Sequence, residues 1–134
     1  ERIIIVSGKS SFNRLRTILA ALIGSKVISA PHWPIVDCMG QCHDFMETAA
    51  LMQHLDLVIC VDTSIAHLAG AIGKPVWLLN RFDTCWRWQL HRRDSPWYPT
   101  LTVFRQTAAA DWAMPLQQIR VGLLKLLEND APQK

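Results

Sequence analysis

Two short, continuous runs of apolar residues, Leu57 to Val61 and Pro75 to Leu79, flank a segment with helical spacing. This segment runs from Ser64 to Ile72, and Gly73 follows it as a suitable helix stop. Continuously apolar strands are typical of parallel sheets, because helices cover both faces of such a sheet. The strand–helix–strand order with short connections therefore predicts parallel β-structure.

The same alternation continues through the rest of the chain. The further predicted segments are strands at Ile3 to Ser7, Lys26 to Ala30 and Leu101 to Phe104, a strand or loop at Pro34 to Asp37, and helices at Phe12 to Ile23, Asp44 to His54, Asp83 to His91 and Asp111 or Trp112 to Glu128. We therefore predict an α/β fold, a Rossmann-like parallel sheet with helices on both faces. Residues 1–128 are expected to form one domain and residues 129–134 a frayed tail.

The composition is that of a globular protein, since half of the 134 residues are hydrophobic and 19% are charged. The formal net charge of +3, without a block of like charges, favours a nucleotide or another small anion over nucleic acid as the ligand. No apolar run approaches the ~20 residues of a membrane span, and no signal peptide is recognisable. We expect a cytoplasmic protein without a transmembrane segment. Because the chain opens on a strand-like run without a methionine, we also expect it to be a piece of a longer protein.

The four cysteines do not form a convincing metal motif. Cys60 lies inside an apolar run and is expected in the core, and Cys85 has no cysteine near it in sequence. Cys38 and Cys42, followed by His43, would supply half of a zinc site, but the second half is missing. Reduced thiols are ordinary in cytosolic proteins. We predict neither a metal nor another cofactor.

The loop after the predicted strand Leu57 to Val61 is the strongest candidate site. In parallel sheets, ligands bind beyond the carboxyl ends of the strands. Asp62, Thr63 and Ser64 stand at this position, directly before a helix, and His67 follows one turn later. The free N–H groups and the dipole of a helix start attract phosphate, and Asp62 would orient the loop or meet a ligand hydroxyl. The alternative is structural: Thr63 and Ser64 cap the helix, and His67 is simply packed or solvated.

Two other loops are weaker candidates. Lys9 lies in the turn VSGKSS, which is not a P-loop because the first glycine of that motif is replaced by Ile3. Lys9 is either a cation for a phosphate or ribose, or a solvated turn residue. The loop of residues 80–99 contains five aromatic residues and four arginines: Phe82, Trp86, Trp88, Trp97, Tyr98, Arg81, Arg87, Arg92 and Arg93.

This arginine- and tryptophan-rich loop permits several interpretations. Arginine next to tryptophan suits stacking on sugars and binding of diphosphates. Alternatively, one of Trp86 and Trp88 lies in the core and the other covers it, and Arg87 between them is solvated. Stacking on nucleic acid is disfavoured, because the basic residues do not extend into a long stripe. No catalytic triad, carboxylate pair or HExxH motif is recognisable, so the catalytic residues are unknown.

The stretches DLVICVDTSIAHLAGAIGKPVWLL and DTCWRWQLHRRDSPWYPTLTVFRQ resemble the C-terminal domain of bacterial glycosyltransferase family 9. These are the ADP-heptose:lipopolysaccharide heptosyltransferase-like proteins, and the resemblance is closest to the branch fused to tetratricopeptide repeats. It covers about residues 35–112. The resemblance implies one half of a GT-B architecture, in which two Rossmann-like domains enclose a cleft and the C-terminal domain holds the sugar nucleotide.

The resemblance also implies roles for individual residues. Asp62, Thr63, Ser64 and Ile65 match the turn that meets the donor diphosphate, and His67 matches the histidine of the helix that follows. By position, Lys9 falls near the ribose, Asp44 and Phe45 near the edge of the base, and Asn80, Arg81 and Asp83 at the sugar end of the cleft. The implied ligand is a nucleotide-diphosphate sugar.

The N-terminal acceptor domain of the family has no counterpart in these 134 residues. We therefore expect a donor-binding domain that does not transfer sugar by itself. The alternative is a non-catalytic interaction or oligomerisation domain that retains the fold and uses its Trp/Arg surface, as a homo-oligomer or with a partner protein.

Overall fold

The computed structural model describes residues 3–5 and 42–129. Several segments predicted from the sequence lie outside the described residues. These are the Lys9 turn, the helix at 12–23, the segments at 26–30 and 34–37, Cys38, and residues 130–134 of the tail.

The described strands form one parallel sheet of four strands. The strands are β1 (Ile3–Ile5), β2 (Leu57–Val61), β3 (Val76–Asn80) and β4 (Leu101–Arg105). Their order in the sheet is their order in the chain, and every neighbouring pair is parallel. The chain must therefore cross over the sheet between successive strands, which is the connection that parallel strands require.

In the described ranges, three helices lie on the two faces of this sheet. They are α1 (Phe45–Gln53), α2 (Ser64–Ala71) and α3 (Ala113–Asn129). Met52 of α1 and Ile65 of α2 belong to the core cluster on one face, whereas Ile119 of α3 belongs to the cluster on the other. The predicted α/β fold, with a parallel sheet and helices on both faces, is confirmed. Within the described ranges, no helix is long and apolar enough to span a membrane.

Strand β2 shows why its sequence is continuously apolar. Val58 and Cys60 point to the face covered by α1 and α2, while Leu57 and Ile59 point to the face covered by α3. All four residues are buried. Burial raises the pKa of the Cys60 thiol to about 12, so Cys60 stays a neutral core residue, as its apolar surroundings predicted.

The predicted helix from Asp83 to His91 is wrong. Only a single 3-10 turn, Trp86–Trp88, forms there, and it ends at Gln89 with a positive φ of 48°. The segment instead follows the outer edge of β4, where the Val103 N–H donates to the Arg93 carbonyl over 2.6 Å. Pairing with a distant strand has therefore replaced local helix formation. The other predicted elements in the described ranges agree to within two residues, the usual uncertainty of element ends.

Candidate functional site

The sheet brings two of the predicted site loops to the same edge. Strands β2 and β3 are parallel neighbours, and Val61 lies opposite Leu79 in the register. The turn that begins at Asp62 and the loop that begins after Asn80 therefore leave the sheet side by side. In parallel sheets this carboxyl edge is where ligands bind.

The start of α2 has no side-chain cap. Thr63 occupies the N-cap position with an extended backbone, but its hydroxyl donates to the Val61 carbonyl at 3.3 Å instead of accepting from the helix. The Ala66 N–H donates to the Thr63 carbonyl at 3.1 Å. In the part of the chain that the structure describes, the N–H groups of Ser64 and Ile65 have no acceptor. The structural alternative, a capped helix start, is therefore not what the structure contains.

The four residues of this turn are exposed to different degrees. Asp62 and Ser64 are exposed, Thr63 is half-buried, and the Ile65 side chain is buried in the core. Ile65 can therefore meet a ligand only through its backbone, whereas Asp62 and Ser64 can offer side chains as well. The turn presents donors to solvent next to one carboxylate.

His67 is held by aromatic residues of the distant loop. Its Nδ1 lies 3.0 Å from the Tyr98 hydroxyl, and its ring stacks on Trp88 with centroids 5.1 Å apart and planes at 21°. Both partners lie far along the chain, so spacing within α2 did not reveal them. The hydrogen bond and the stack together fix the position of the imidazole ring.

Tyr98 reaches His67 because α2 carries glycine at position 70. A Cβ atom on Gly70 would lie 2.5 Å from the Tyr98 Cγ. The close neighbour of Gly70 is therefore an aromatic side chain. The sequence feature associated with this contact is the PWYP segment, in which prolines flank Trp97 and Tyr98.

Asp44 and Phe45 lie at the start of α1, which packs beside α2. The Asp44 Oδ1 accepts the Glu47 N–H at 2.8 Å, and the Glu47 Oε2 accepts the His43 N–H at 2.6 Å. This is a capping box shifted by one residue, since the glutamate usually accepts from the N–H of the N-cap residue itself, which is Asp44 here. The Phe45 side chain is exposed. Asp44 thus has a structural task that is independent of any ligand.

Replacing Asp44 with alanine is expected to lower the free energy of unfolding by about 1 kcal/mol, because α1 loses its N-cap acceptor. Asp44→Asn keeps an acceptor oxygen and should remain within about 0.5 kcal/mol of the parent chain. Urea denaturation followed by circular dichroism measures both variants. Equal losses for alanine and asparagine would show that the Asp44 charge, and not its cap, stabilises α1.

The loop after β3 contains one buried and two exposed polar residues. The Asn80 side chain is buried, and its Nδ2 donates to the Thr84 Oγ1 at 2.5 Å, so it shapes the loop. Arg81 and Asp83 form an exposed ion pair at 2.8 Å. An exposed pair of this kind contributes little stability, so both side chains are free to change partners when a ligand arrives.

The described residues contain no group of three histidine, cysteine or acidic side chains placed to hold a metal ion. Cys42 is half-buried and His43 is exposed.

Arg105, which no sequence pattern indicated, ends β4 at the same edge of the sheet. Its guanidinium donates to the carbonyls of Trp88 at 3.0 Å and Leu90 at 2.9 Å, and so anchors the loop of residues 80–99 to the sheet.

An α/β domain with an uncapped helix start at the carboxyl edge of its sheet is the type of domain that binds phosphorylated ligands. The chain belongs to glycosyltransferase family 9 (heptosyltransferase), which residues 29–109 match. This range contains the turn before α2 and the aromatic loop, close to the 35–112 expected from the resemblance.

One similar protein is FlbA of Caulobacter vibrioides, which is 30% identical over 80 residues. The alignment covers 60% of this chain and 13% of FlbA, so the chain spans a small part of the length of that relative. No solved structure matches the chain.

Proposed function

We propose that this chain is the donor-binding, C-terminal domain of a GT-B glycosyltransferase, heptosyltransferase-like and of the branch fused to tetratricopeptide repeats. Its ligand is a nucleotide-diphosphate sugar, whose diphosphate lies at the start of α2. The observation that carries the proposal is the uncapped first turn of α2. Membership of glycosyltransferase family 9 supports the general activity.

The first turn of α2 suits a diphosphate for electrostatic reasons. The N–H groups of Ser64 and Ile65 point out of the helix start, where the helix dipole adds partial positive charge. The exposed Ser64 hydroxyl is a further donor. A ligand phosphate would accept these hydrogen bonds, as phosphates do at helix starts in other nucleotide-binding folds. Asp62 is placed to accept a bond from a ligand hydroxyl.

The remaining described residues of the proposed site lie around this turn, and Lys9 lies outside the described residues. His67 lies one turn further along α2, in a ring position fixed by Tyr98. Asn80, Arg81 and Asp83 leave the neighbouring strand and are assigned to the sugar end. We assign Asp44 and Phe45 to the edge of the base and Lys9 to the ribose.

In the intact enzyme, the acceptor displaces the nucleoside diphosphate from the sugar directly. Negative charge grows on the departing diphosphate, and the start of α2 stabilises that charge. The acceptor site and the general base belong to a separate N-terminal domain. We therefore expect the 134-residue chain to bind the donor without transferring sugar.

Replacing Ser64 with proline is expected to weaken nucleoside diphosphate binding about tenfold, because it removes one N–H donor to a charged group. Proline is tolerated at the first helical position, where its missing N–H is unpaired anyway. Thr63 has the extended backbone that a residue before proline requires. The free energy of unfolding without ligand should therefore change little. Ser64→Ala, the matched control, removes the hydroxyl and keeps the N–H.

The thermal midpoint of the three chains is measured with ADP, UDP and GDP. A nucleotide at about 100 times its Kd adds about 2.7 kcal/mol of stability to the parent chain. The nucleotide that raises the midpoint identifies the base. Loss of that rise in Ser64→Pro, with Ser64→Ala intermediate, supports the proposal. No rise with any nucleotide, or an equal rise in all three chains, contradicts it.

A non-catalytic interaction domain is the second candidate function. The observation that favours it is the exposed aromatic surface formed by Trp86 and Trp97, which are 71% and 56% exposed and meet edge to face at 6.4 Å. Exposed aromatic residues are typical of protein interfaces. A mass that rises with concentration in sedimentation, and falls in Trp86→Ala, would support self-association.

A further inference from the structure

A cavity with a volume of about 240 Å³ lies along the outer edge of β4. It is bounded by the segment of residues 90–93, by β4 and by Gln118 of α3. None of its lining residues belongs to α2 or to the turn before it. The cavity is therefore separate from the proposed donor site.

The side chains that line this cavity carry an excess of positive charge. Three arginines and one histidine contribute to the lining, and no carboxylate does; the four residues are His91, Arg92, Arg93 and Arg105. Only Arg92 has a nearby acid, because its guanidinium forms two hydrogen bonds to the Asp94 carboxylate. These hydrogen bonds lower the pKa of Asp94 to about 2, so this acid is ionised at neutral pH and its charge is matched by Arg92.

Arg105 has no acidic partner among the described residues. Two of its nitrogens donate to main-chain carbonyls, and its Nε is buried without an acceptor there. Burial lowers the pKa of the Arg105 guanidinium, because its charge is partly removed from water. The Arg105 side chain is only half-buried, so its charge remains accessible to an anion from solvent. An anion in the cavity would supply the missing counter-ion.

Arg93 supplies the second unmatched charge. Its guanidinium lies over the Phe104 ring, 5.1 Å from the centroid, and no ion pair within the described ranges involves it. The aromatic contact positions the cation without neutralising it. Arg93 and Arg105 therefore bring about two positive charges to one cavity.

From this charge and this size, we infer that the cavity binds the phosphate group of a small anion, either inorganic phosphate or a small phosphate monoester. Guanidinium groups match phosphate oxygens in geometry and charge. A volume of about 240 Å³ is enough for a phosphate group or a small phosphate monoester. The inference does not depend on the proposed donor site.

The test is a titration of the ¹⁵N-labelled chain followed by amide chemical shifts. The probes are inorganic phosphate and glycerol 3-phosphate, and sodium chloride of equal ionic strength is the reference. Phosphate is expected to shift the amides of residues 90–93, 103–105 and 118, and chloride is not. Tighter binding of glycerol 3-phosphate would identify an ester as the ligand, and equal binding would identify the phosphate group alone.

Arg93→Gln is expected to weaken this binding about tenfold, because one charge-assisted contact is lost. Arg120→Gln is the matched control, since Arg120 is exposed on α3 and does not line the cavity. Arg105→Lys is a second variant that keeps the charge and loses the fork geometry, and it should also weaken binding.

Three results would overturn the inference: equal shifts with chloride, shifts confined to residues 64–66, or Arg93→Gln binding as tightly as Arg120→Gln. Shifts confined to residues 64–66 would leave the donor site proposal intact. Conversely, amide shifts around the cavity, together with no rise of the thermal midpoint with any nucleotide, would support the phosphate site in the cavity and contradict the donor site.

Discussion

Replacing Trp88 with alanine is expected to lower the free energy of unfolding by about 3–5 kcal/mol, whereas Trp86→Ala should change it by less than about 0.5 kcal/mol. The two tryptophans belong to the same 3-10 turn, yet Trp88 is fully buried and Trp86 is 71% exposed. Trp88 packs in the core between the sheet and α2, and its ring stacks on His67. Its removal therefore leaves a cavity that the surroundings fill only in part.

Urea denaturation monitored by circular dichroism measures these differences. If Trp88→Ala does not fold, Trp88→Phe replaces it, with an expected loss of about 1–2 kcal/mol. Phenylalanine keeps an aromatic ring and removes the buried Trp88 Nε1, which has no acceptor among the described residues. Similar losses for the Trp86 and Trp88 variants would mean that the loop of residues 80–99 does not pack as described.

Replacing Gly70 with alanine is expected to destabilise the chain by about 1–3 kcal/mol, although alanine is the better helix former. The added Cβ would lie 2.5 Å from the Tyr98 Cγ and 2.9 Å from the Tyr98 Cβ, so the tyrosine has to move at its base. Movement of Tyr98 would also break its hydrogen bond to His67. We expect a changed near-ultraviolet circular dichroism signal together with the loss of stability.

An exposed alanine in the interior of a helix provides the control for helix propensity. Ala50 is exposed in the interior of α1, and Ala50→Gly should cost about 0.5–1 kcal/mol through backbone entropy alone. If propensity governed position 70 as well, Gly70→Ala would stabilise the chain by a similar amount. A stabilised Gly70→Ala variant would therefore contradict the close contact with Tyr98.

Sequence patterns predicted well those strands and helices whose signal is a short run of consecutive residues. The apolar run of β2 is a pattern of five consecutive residues, and the helical spacing of α2 spans eight. The helix predicted from Asp83 to His91 was wrong because the carbonyls of Trp88 and Leu90 accept from the Arg105 side chain, which comes later in the chain. Helical spacing carries no information about such partners.

The candidate site also has features that local sequence patterns predict and features that depend on distant contacts. Its position at the carboxyl edge, after β2, followed from the order of strands and helices. Whether the helix start is capped depended on the rotamer of Thr63, which turned its hydroxyl towards Val61. The partners of His67 depended on a contact with Tyr98, 31 residues away. The sequence also could not tell which of Trp86 and Trp88 is buried, because both are tryptophans in one short turn.

The short antiparallel pairing along β4 has a consequence for association between chains. An uncovered edge strand offers its backbone groups to any other chain and invites aggregation. Here Asp94 forms an antiparallel bridge with Thr102, and the Arg93 carbonyl accepts the Val103 N–H. The charged side chains of this segment and Pro96 oppose the addition of another strand at this point. Copies of this chain that associate therefore do not extend the sheet across the middle of β4.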